Sequence, residues 1–272
     1  MSFFERIFFA IICLIFCFIY KVSAENCIGQ SSSIRNNTWR KIWLQKGEKG
    51  KFSNEDLHSI DGFPIEKEYW EKLINNLIDL CHLNDCKNIC DFGCGSGAFL
   101  KQILKKYPSM NVYGCDYAES LVSIAQKNIQ EGKFWVHDIT LPLSDKMCSL
   151  KPFDAIVCYG VLIYLNSFDD VEKAILNMMQ LLKPGGKLIL GEINDLEKKD
   201  LSKKIRAKTS SSSQYLCPEL DVDHLYLSRD FFINLAKKLN AQIDFIEFSD
   251  IDPDGLYSNG LYRFHVVMRL PY

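Results

Sequence analysis

The sequence predicts an α/β fold, a doubly wound and mostly parallel sheet with helices on both faces. Two observations carry that expectation. From about residue 88 onward, short apolar runs rich in β-type residues alternate with segments whose apolar residues recur at helical spacing. Within Asn88 to Phe99, a short buried run (Ile89, Cys90, Phe92) gives way at once to Gly93, Gly95 and Gly97, and then to Phe99, Leu100, Ile103 and Leu104 at helical spacing. Strand, glycine turn, helix lets a backbone approach a ligand closely and points the free N–H groups of a helix start at an anion. A nucleotide-like cofactor is implied.

The chain of 272 residues begins with a run of 14 apolar residues, Ile7 to Tyr20, preceded by Arg6 and followed by Val22-Ser23-Ala24. That run falls short of the roughly 18 to 20 residues that span a bilayer, and residues 22 and 24 suit a signal peptidase. Residues 1–24 are therefore expected to be a cleaved secretory signal, with an uncleaved membrane anchor as the alternative. The protein is then secreted or ER-associated, or else anchored with its domain facing the cytosol. Asn36-Asn37-Thr38 is a glycosylation acceptor that only luminal exposure would use. Trp39 to Phe63 carries Trp39, Trp43, Phe52 and Phe63 without a clean period.

Tyr69 to Leu83 reads as an amphipathic helix through Leu73, Ile74, Leu77, Ile78 and Leu80. After the glycine turn, Ala98 to Tyr107 is a helix closed by Pro108, and Asn111 to Asp116 is the second strand. Glu119 to Gln130 is a helix, Lys133 to Asp138 the third strand, and Phe153 to Leu162 contains the fourth. Asp169 to Leu182 is the next helix and Lys187 to Glu192 the fifth strand. Phe231 to Leu239 is a helix, and Ala241 to Phe248 and Leu261 to Leu270 are the last two strands. Residues 194–229 form an insertion too long for a plain connection. Its first part holds Lys198, Lys199, Lys203, Lys204, Arg206 and Lys208. Its second holds Tyr215, His224, Tyr226 and Arg229, polar aromatics that suit a pocket wall.

Three successive strands end on or carry acids: Asp91, Asp116 and Asp138. Asp116 lies 23 residues beyond Gly93, the offset expected of a carboxylate that accepts ribose hydroxyls. Asp91-Phe92-Gly93-Cys94-Gly95-Ser96-Gly97, the stretch Phe153 to Leu162, and Leu182-Lys183-Pro184-Gly185-Gly186 together resemble the class I S-adenosylmethionine-dependent methyltransferases, over about Tyr69 to Tyr272. A NAD fingerprint would space its glycines as Gly-x-Gly-x-x-Gly, and residue 98 is alanine. The resemblance implies a seven-stranded sheet in the order 3-2-1-4-5-7-6 with the last strand antiparallel. It also implies a domain over 69–272, a lid over 25–68 and S-adenosyl-L-methionine as cofactor. On that reading Asp91, Gly93, Cys94, Gly95 and Gly97 hold the methionine part, Asp116 the ribose and Asp138 the adenine. Tyr117 and Ile139 complete the cofactor set, and Cys158 and Tyr159 pass beside the methyl group.

The candidate catalytic residues are His224, Tyr164 and Tyr159. His224 leads as a base because it lies in the insertion expected over the strand ends. Tyr164 occupies the place where relatives of this family frequently carry histidine, which weakens any histidine chemistry from that turn. His137 and His265 read as packing or surface residues. Transfer from a sulfonium is an in-line displacement that asks mainly for orientation and exclusion of water.

Composition is that of an ordinary globular protein, 47% apolar and 24% charged. The net charge of −2 offers no strongly basic face for nucleic acid. The expected function is methyl transfer to a small molecule at O, N or carboxylate. The alternatives are methylation of a protein or nucleic acid, and a non-catalytic protein that only binds the cofactor. Membrane contact is expected only through the amino-terminal segment, and oligomeric state is left open. Of eleven cysteines, Cys90, Cys115 and Cys158 fall in or at the end of central strands as small buried hydrophobes, and no ligand pairs have zinc spacing, so no metal is expected.

Overall fold

The computed structural model describes residues 38–51, 56–63, 65–150, 152–210 and 224–271. The chain divides into two units, 1–37 and 38–272. The expected signal or anchor at 1–24 and both asparagines of the glycosylation acceptor lie outside the described residues.

The elements are α1 (Thr38–Gly50), α2 (Leu57–Ile60), α3 (Lys67–Leu80), β1 (Asn88–Phe92), α4 (Ala98–Lys106), β2 (Asn111–Asp116), α5 (Glu119–Asn128), β3 (Lys133–Val136), α6 (Asp145–Leu150), β4 (Phe153–Tyr159), α7 (Phe168–Met179), β5 (Leu182–Asn194), α8 (Lys199–Ser210), α9 (Arg229–Lys238), β6 (Gln242–Glu247), α10 (Phe248–Ile251) and β7 (Arg263–Arg269). The seven strands form one sheet in the order β3-β2-β1-β4-β5-β7-β6. β1 to β5 run parallel, and β7 lies antiparallel between β5 and β6. This is the doubly wound architecture and strand order that the motifs imply.

Alternation along the strands feeds two cores, because successive side chains leave opposite faces of a sheet. Cys90, Phe92, Ile156, Cys158, Leu188 and Leu190 pack on one face with Val171, Ile175 and Met178 of α7 and Phe232 and Leu235 of α9. Ile89, Ala155, Val157 and Ile189 pack on the other face with Leu73, Ile74 and Leu77 of α3 and Phe99, Leu100 and Ile103 of α4. Ser167 caps α7, and Ser228 caps α9, each accepting from a backbone N–H three residues on.

Four details differ from the expectation. Leu80, placed on the apolar stripe of α3, is 43% exposed at the helix end. β3 stops at Val136, so Asp138 stands two residues beyond the strand. The Leu182 to Gly186 turn lies inside β5, where the pairing with β4 shifts register between Phe153 and Ala155. Residues 38–50, aperiodic in sequence, form α1, which packs on α5. Gly47 permits that approach, since a Cβ there would lie 2.2 Å from Ser120 Oγ.

Candidate active site

All three glycines of the turn after β1 have positive φ: Gly93 at +82°, Gly95 at +53° and Gly97 at +89°. Only glycine adopts that series without strain, which is why the motif has this spacing. The turn is pinned to β2 by backbone bonds from Gly93 N–H and Cys94 N–H to the Cys115 carbonyl, at 2.7 and 2.9 Å. Asp116 ties it further. Its carboxylate accepts from Gly95 N–H at 3.1 Å and from Ala118 N–H at 2.8 Å, bridging the turn to the start of α5. Burial raises its carboxyl to about 6 against these two hydrogen bonds.

Asp91, 2% exposed, has an Oδ1 with no hydrogen-bond partner. Burial, and then repulsion from Asp61 and Asp116, push its carboxyl well above the usual range. Asp138 accepts from Thr140 N–H at 3.0 Å and Thr140 Oγ1 at 2.7 Å, and pairs with Arg40 of α1 at 2.6 Å. Burial opposes its charge, but the Thr140 and Arg40 bonds outweigh it and hold the carboxyl below its ordinary value. The Arg40 guanidinium also lies 4.5 Å over the Tyr117 ring. Ile139 is buried beneath, and its carbonyl takes a bond from Asn177 Nδ2 at 3.0 Å. An orphaned buried carboxylate oxygen, a positive-φ glycine cradle and further acids around it fit a ligand with cationic groups and a ribose.

The other half of the candidate site lies at the ends of β4 and β5 and the start of β7. The Tyr159 ring rests on Gly191, where a Cβ would come within 2.1 Å of it, so a side chain at 191 would displace the ring. Around Tyr159 stand Phe63, Phe99 and His265, with ring centroids 5.6, 5.6 and 5.9 Å away. Its hydroxyl donates to Glu192 at 3.2 Å, and Tyr257 donates to the other Glu192 oxygen at 3.2 Å. Glu192 is fully buried, has a φ of +61° and forms an ion pair with buried Arg263. Arg263 Nε donates to Asn194 Oδ1 at 3.0 Å. Glu192 N–H donates to His265 Nδ1 at 3.3 Å, and His265 Nε2 has no partner. Cys158 is buried in the core beneath.

Leu225 N–H donates to the Ile163 carbonyl at 2.9 Å, and Leu227 N–H to that of Asn194 at 2.9 Å. These bonds bring the insertion back over the strand ends and seat His224 among aromatic rings. It stacks on Trp39 at 4.7 Å and 9° and meets Tyr164 edge-on at 5.3 Å. Trp39 and Trp43 pack on Tyr164 at 4.7 and 5.2 Å. Burial, and then the positive charges of Arg206 and Arg263, lower the His224 imidazole to about 2, so in this arrangement it is neutral and a poor base. Burial pushes the Tyr164 hydroxyl up to about 12.

The structure thus gathers the expected residues into two groups, Asp91, the glycine turn, Asp116, Tyr117, Asp138 and Ile139 in one, Tyr159, Tyr164 and His224 in the other, whereas the Cys158 side chain, expected beside the methyl group, packs in the core. It adds Arg40, Asp61, Glu192, Tyr257 and Arg263, which sequence reasoning missed. Glu192 carried a signal, an acid at the end of the fifth strand like those of the first three. Among the described residues no group of three His, Cys, Asp or Glu side chains is placed to hold a metal ion.

Comparison with known proteins bears on this geometry. The sequence profile of the family described as a methyltransferase domain matches residues 83–244. A ubiquinone biosynthesis O-methyltransferase of Coxiella burnetii is 32% identical over 167 residues, 56% of this chain and 63% of that protein. This chain thus spans a little under two thirds of the length of that relative. A probable tRNA methyltransferase 9B of Homo sapiens is 33% identical over 102 residues, 38% of this chain and 20% of that protein. Among solved structures, phosphoethanolamine N-methyltransferase 1 of Haemonchus contortus, in complex with phosphoethanolamine and S-adenosylhomocysteine, superposes with a TM-score of 0.59 at 14% identity, covering 89% of this chain and 50% of that one. The plantazolicin methyltransferase BpumL with S-adenosylhomocysteine gives 0.53 at 16% identity, covering 86% and 98%. With a profile match over more than half its length and the strand order, glycine turn and strand-end acids described above, this chain belongs to the methyltransferase-domain family, in its class I, Rossmann-like form.

Proposed function

We propose that the chain is an S-adenosyl-L-methionine-dependent methyltransferase acting on a small molecule. The observation that carries this reading is the division of the candidate site at the strand ends into two chemically unlike halves. Over β1 to β3 lie backbone N–H groups and acids suited to a charged nucleoside. Over β4, β5 and β7 lie aromatic rings around a single buried ion pair, a surface suited to a compact acceptor. The relatives named for ubiquinone biosynthesis and phosphoethanolamine methylation support a small acceptor, and the net charge of −2 gives no support to a polymeric anion.

The bound cofactor supplies an activated methyl group on a sulfonium. The chain supplies placement. The glycine turn with Asp91 takes the methionine end, Asp116 and Tyr117 the ribose, and Asp138 with Ile139 the adenine. Tyr159, fixed by Gly191 beneath and Glu192 at its hydroxyl, stands beside the transfer path. Trp39, Trp43, Tyr164 and His224 wall off water, which strengthens every charge inside. A hydroxyl acceptor would need a base and a carboxylate would not. His224 is held neutral with its basicity depressed, so wall-forming is the role its surroundings favour. Residues 1–24 are proposed to direct the protein to the secretory system, as signal or anchor.

Purified protein incubated with methyl-labelled cofactor and pooled metabolites tests the reading. It expects label in a small product whose mass exceeds that of a pool member by one methylene. Label only in added tRNA or protein would replace it with the polymer reading, and no transfer to any acceptor would favour a binding protein.

A further inference from the structure

The turn after α2 brings an acid of its own into the cofactor half of the site. Helix α4 is preceded at its capping position by Gly97, which has no side chain to cap the free N–H groups of the helix. Asp61, in the turn after α2, supplies the missing acceptors: Oδ1 takes Ser96 N–H at 2.6 Å and Oδ2 takes Ala98 N–H at 3.2 Å. Ser96 Oγ in return donates to the Leu57 carbonyl at 3.1 Å. The contact with the glycine turn is close, since a Cβ on Gly95 would lie 2.4 Å from Asp61 Oδ1. Helix capping explains one acid here. It does not explain three.

Asp61, Asp91 and Asp116 converge on this turn and repel one another. Among the described residues no Lys or Arg forms an ion pair with Asp61 or Asp91, and Arg40 acts on Asp116 only at a distance. The Asp91 Oδ1, buried and without a partner, is a second and independent sign of an absent group. Buried charges persist when they are paired, so a cluster of acids with no cation paired to Asp61 or Asp91 among the described residues points to a cationic ligand.

We propose that Asp61 is a cofactor-binding residue carried by the amino-terminal cap, and that with Asp91 it takes the ammonium group at the amino-acid end of the cofactor. The assignment rests on the cofactor reading above. Burial raises the Asp61 carboxyl to about 7, the cost of holding that charge without a counterion, and a bound ammonium relieves it. The residue thereby joins cap and cofactor: the same carboxylate caps α4 and meets the ligand.

The test is calorimetric binding to the full-length protein of two probes, S-adenosylhomocysteine and 5′-methylthioadenosine, a thioether nucleoside that lacks the amino-acid end. Asp61→Asn keeps the shape and one acceptor oxygen, and Asp61→Ser keeps a hydroxyl able to cap a helix. Both variants are expected to weaken S-adenosylhomocysteine by about 10- to 150-fold, the range for a hydrogen bond to a charged group, while changing methylthioadenosine less than about threefold. Equal losses for both probes would reduce Asp61 to a helix cap and overturn the assignment, as would no loss for either. Wild-type protein that binds neither probe would instead remove the cofactor reading itself.

Discussion

Arg263→Met probes the pair that organises the acceptor half. Its guanidinium and the Glu192 carboxylate are 7% and 0% exposed, so removing the cation strands a carboxylate that water cannot reach. Tyr159 and Tyr257 still donate to that carboxylate, yet two neutral donors do not balance a full charge. Breaking a buried pair from one side costs about 3 to 5 kcal/mol, and each kcal/mol lowers the melting midpoint of a domain this size by roughly 2 to 4 °C, so a fall of roughly 6 to 20 °C is expected. The double variant Glu192→Gln/Arg263→Met removes both charges and should recover at least about 2 kcal/mol of the loss. Reversible denaturant unfolding of wild type, Arg263→Met, Glu192→Gln and the double variant, followed by fluorescence and circular dichroism together, measures the cycle. A single variant within about 1 kcal/mol of wild type, or a double variant no better than the single, would refute the claim that this pair is buried and mutually dependent.

Asp116→Ala should weaken cofactor binding by roughly 1.5 to 3 kcal/mol in titration calorimetry, and should lower stability as well because both its oxygens tie the turn to α5. Affinity for S-adenosylhomocysteine should peak between pH 7 and 8 and fall about fivefold by pH 6, as Asp61, facing Asp91 and Asp116, takes up a proton near 7; above pH 8 it falls again as the ligand's own amino group loses its proton. Asp61→Asn should shift the acidic limb to lower pH without removing it, because Asp116, raised to about 6, still titrates there. Stability follows a different course: Asp61 and Asp116 bind protons more tightly folded than unfolded, so their contribution declines as pH rises from about 4 toward 7. His224 and His265, lowered to about 2 and about 3, lose theirs as pH falls below about 6.5. The opposing pairs leave the melting midpoint nearly level around neutrality, so affinity is the sharper readout. Finally, native protein should begin after Ala24 or fractionate with membranes, and an intact Met1 in a purely cytosolic fraction would contradict that.

The sheet was legible because each central strand carries a short apolar run bounded by a glycine, a proline or an acid, and a parallel sheet buried on both faces demands such runs. The cofactor half was legible for a related reason: Gly93, Gly95 and Gly97 need backbone freedom, and Asp116 stands a fixed distance beyond them, so local sequence alone records the constraint. The acceptor half was not. Arg263 lies 71 residues from Glu192, and nothing near either names the other. Asp61 reaches a turn 35 residues later from a segment with no clean hydrophobic period, because Trp39 and Trp43, one turn apart on α1, both pack on Tyr164, while Phe63 lies beyond the helices and packs on Tyr159. His224 was singled out by residue type and place, but its basicity is set by Trp39, Tyr164 and Arg206, a setting that only the folded chain creates.

Ligand-dependent thermal unfolding addresses the central claim most directly, that this cleft takes a sulfur nucleoside and not a dinucleotide. A ligand that binds only the folded state adds roughly 2.7 kcal/mol at 100 times its dissociation constant, which raises the midpoint by roughly 5 to 11 °C in a domain of this size. S-adenosyl-L-methionine or S-adenosylhomocysteine should give that shift in protein freed of copurified ligand, and NAD should leave the midpoint where it was. A large shift with NAD and none with either sulfur nucleoside would contradict the account.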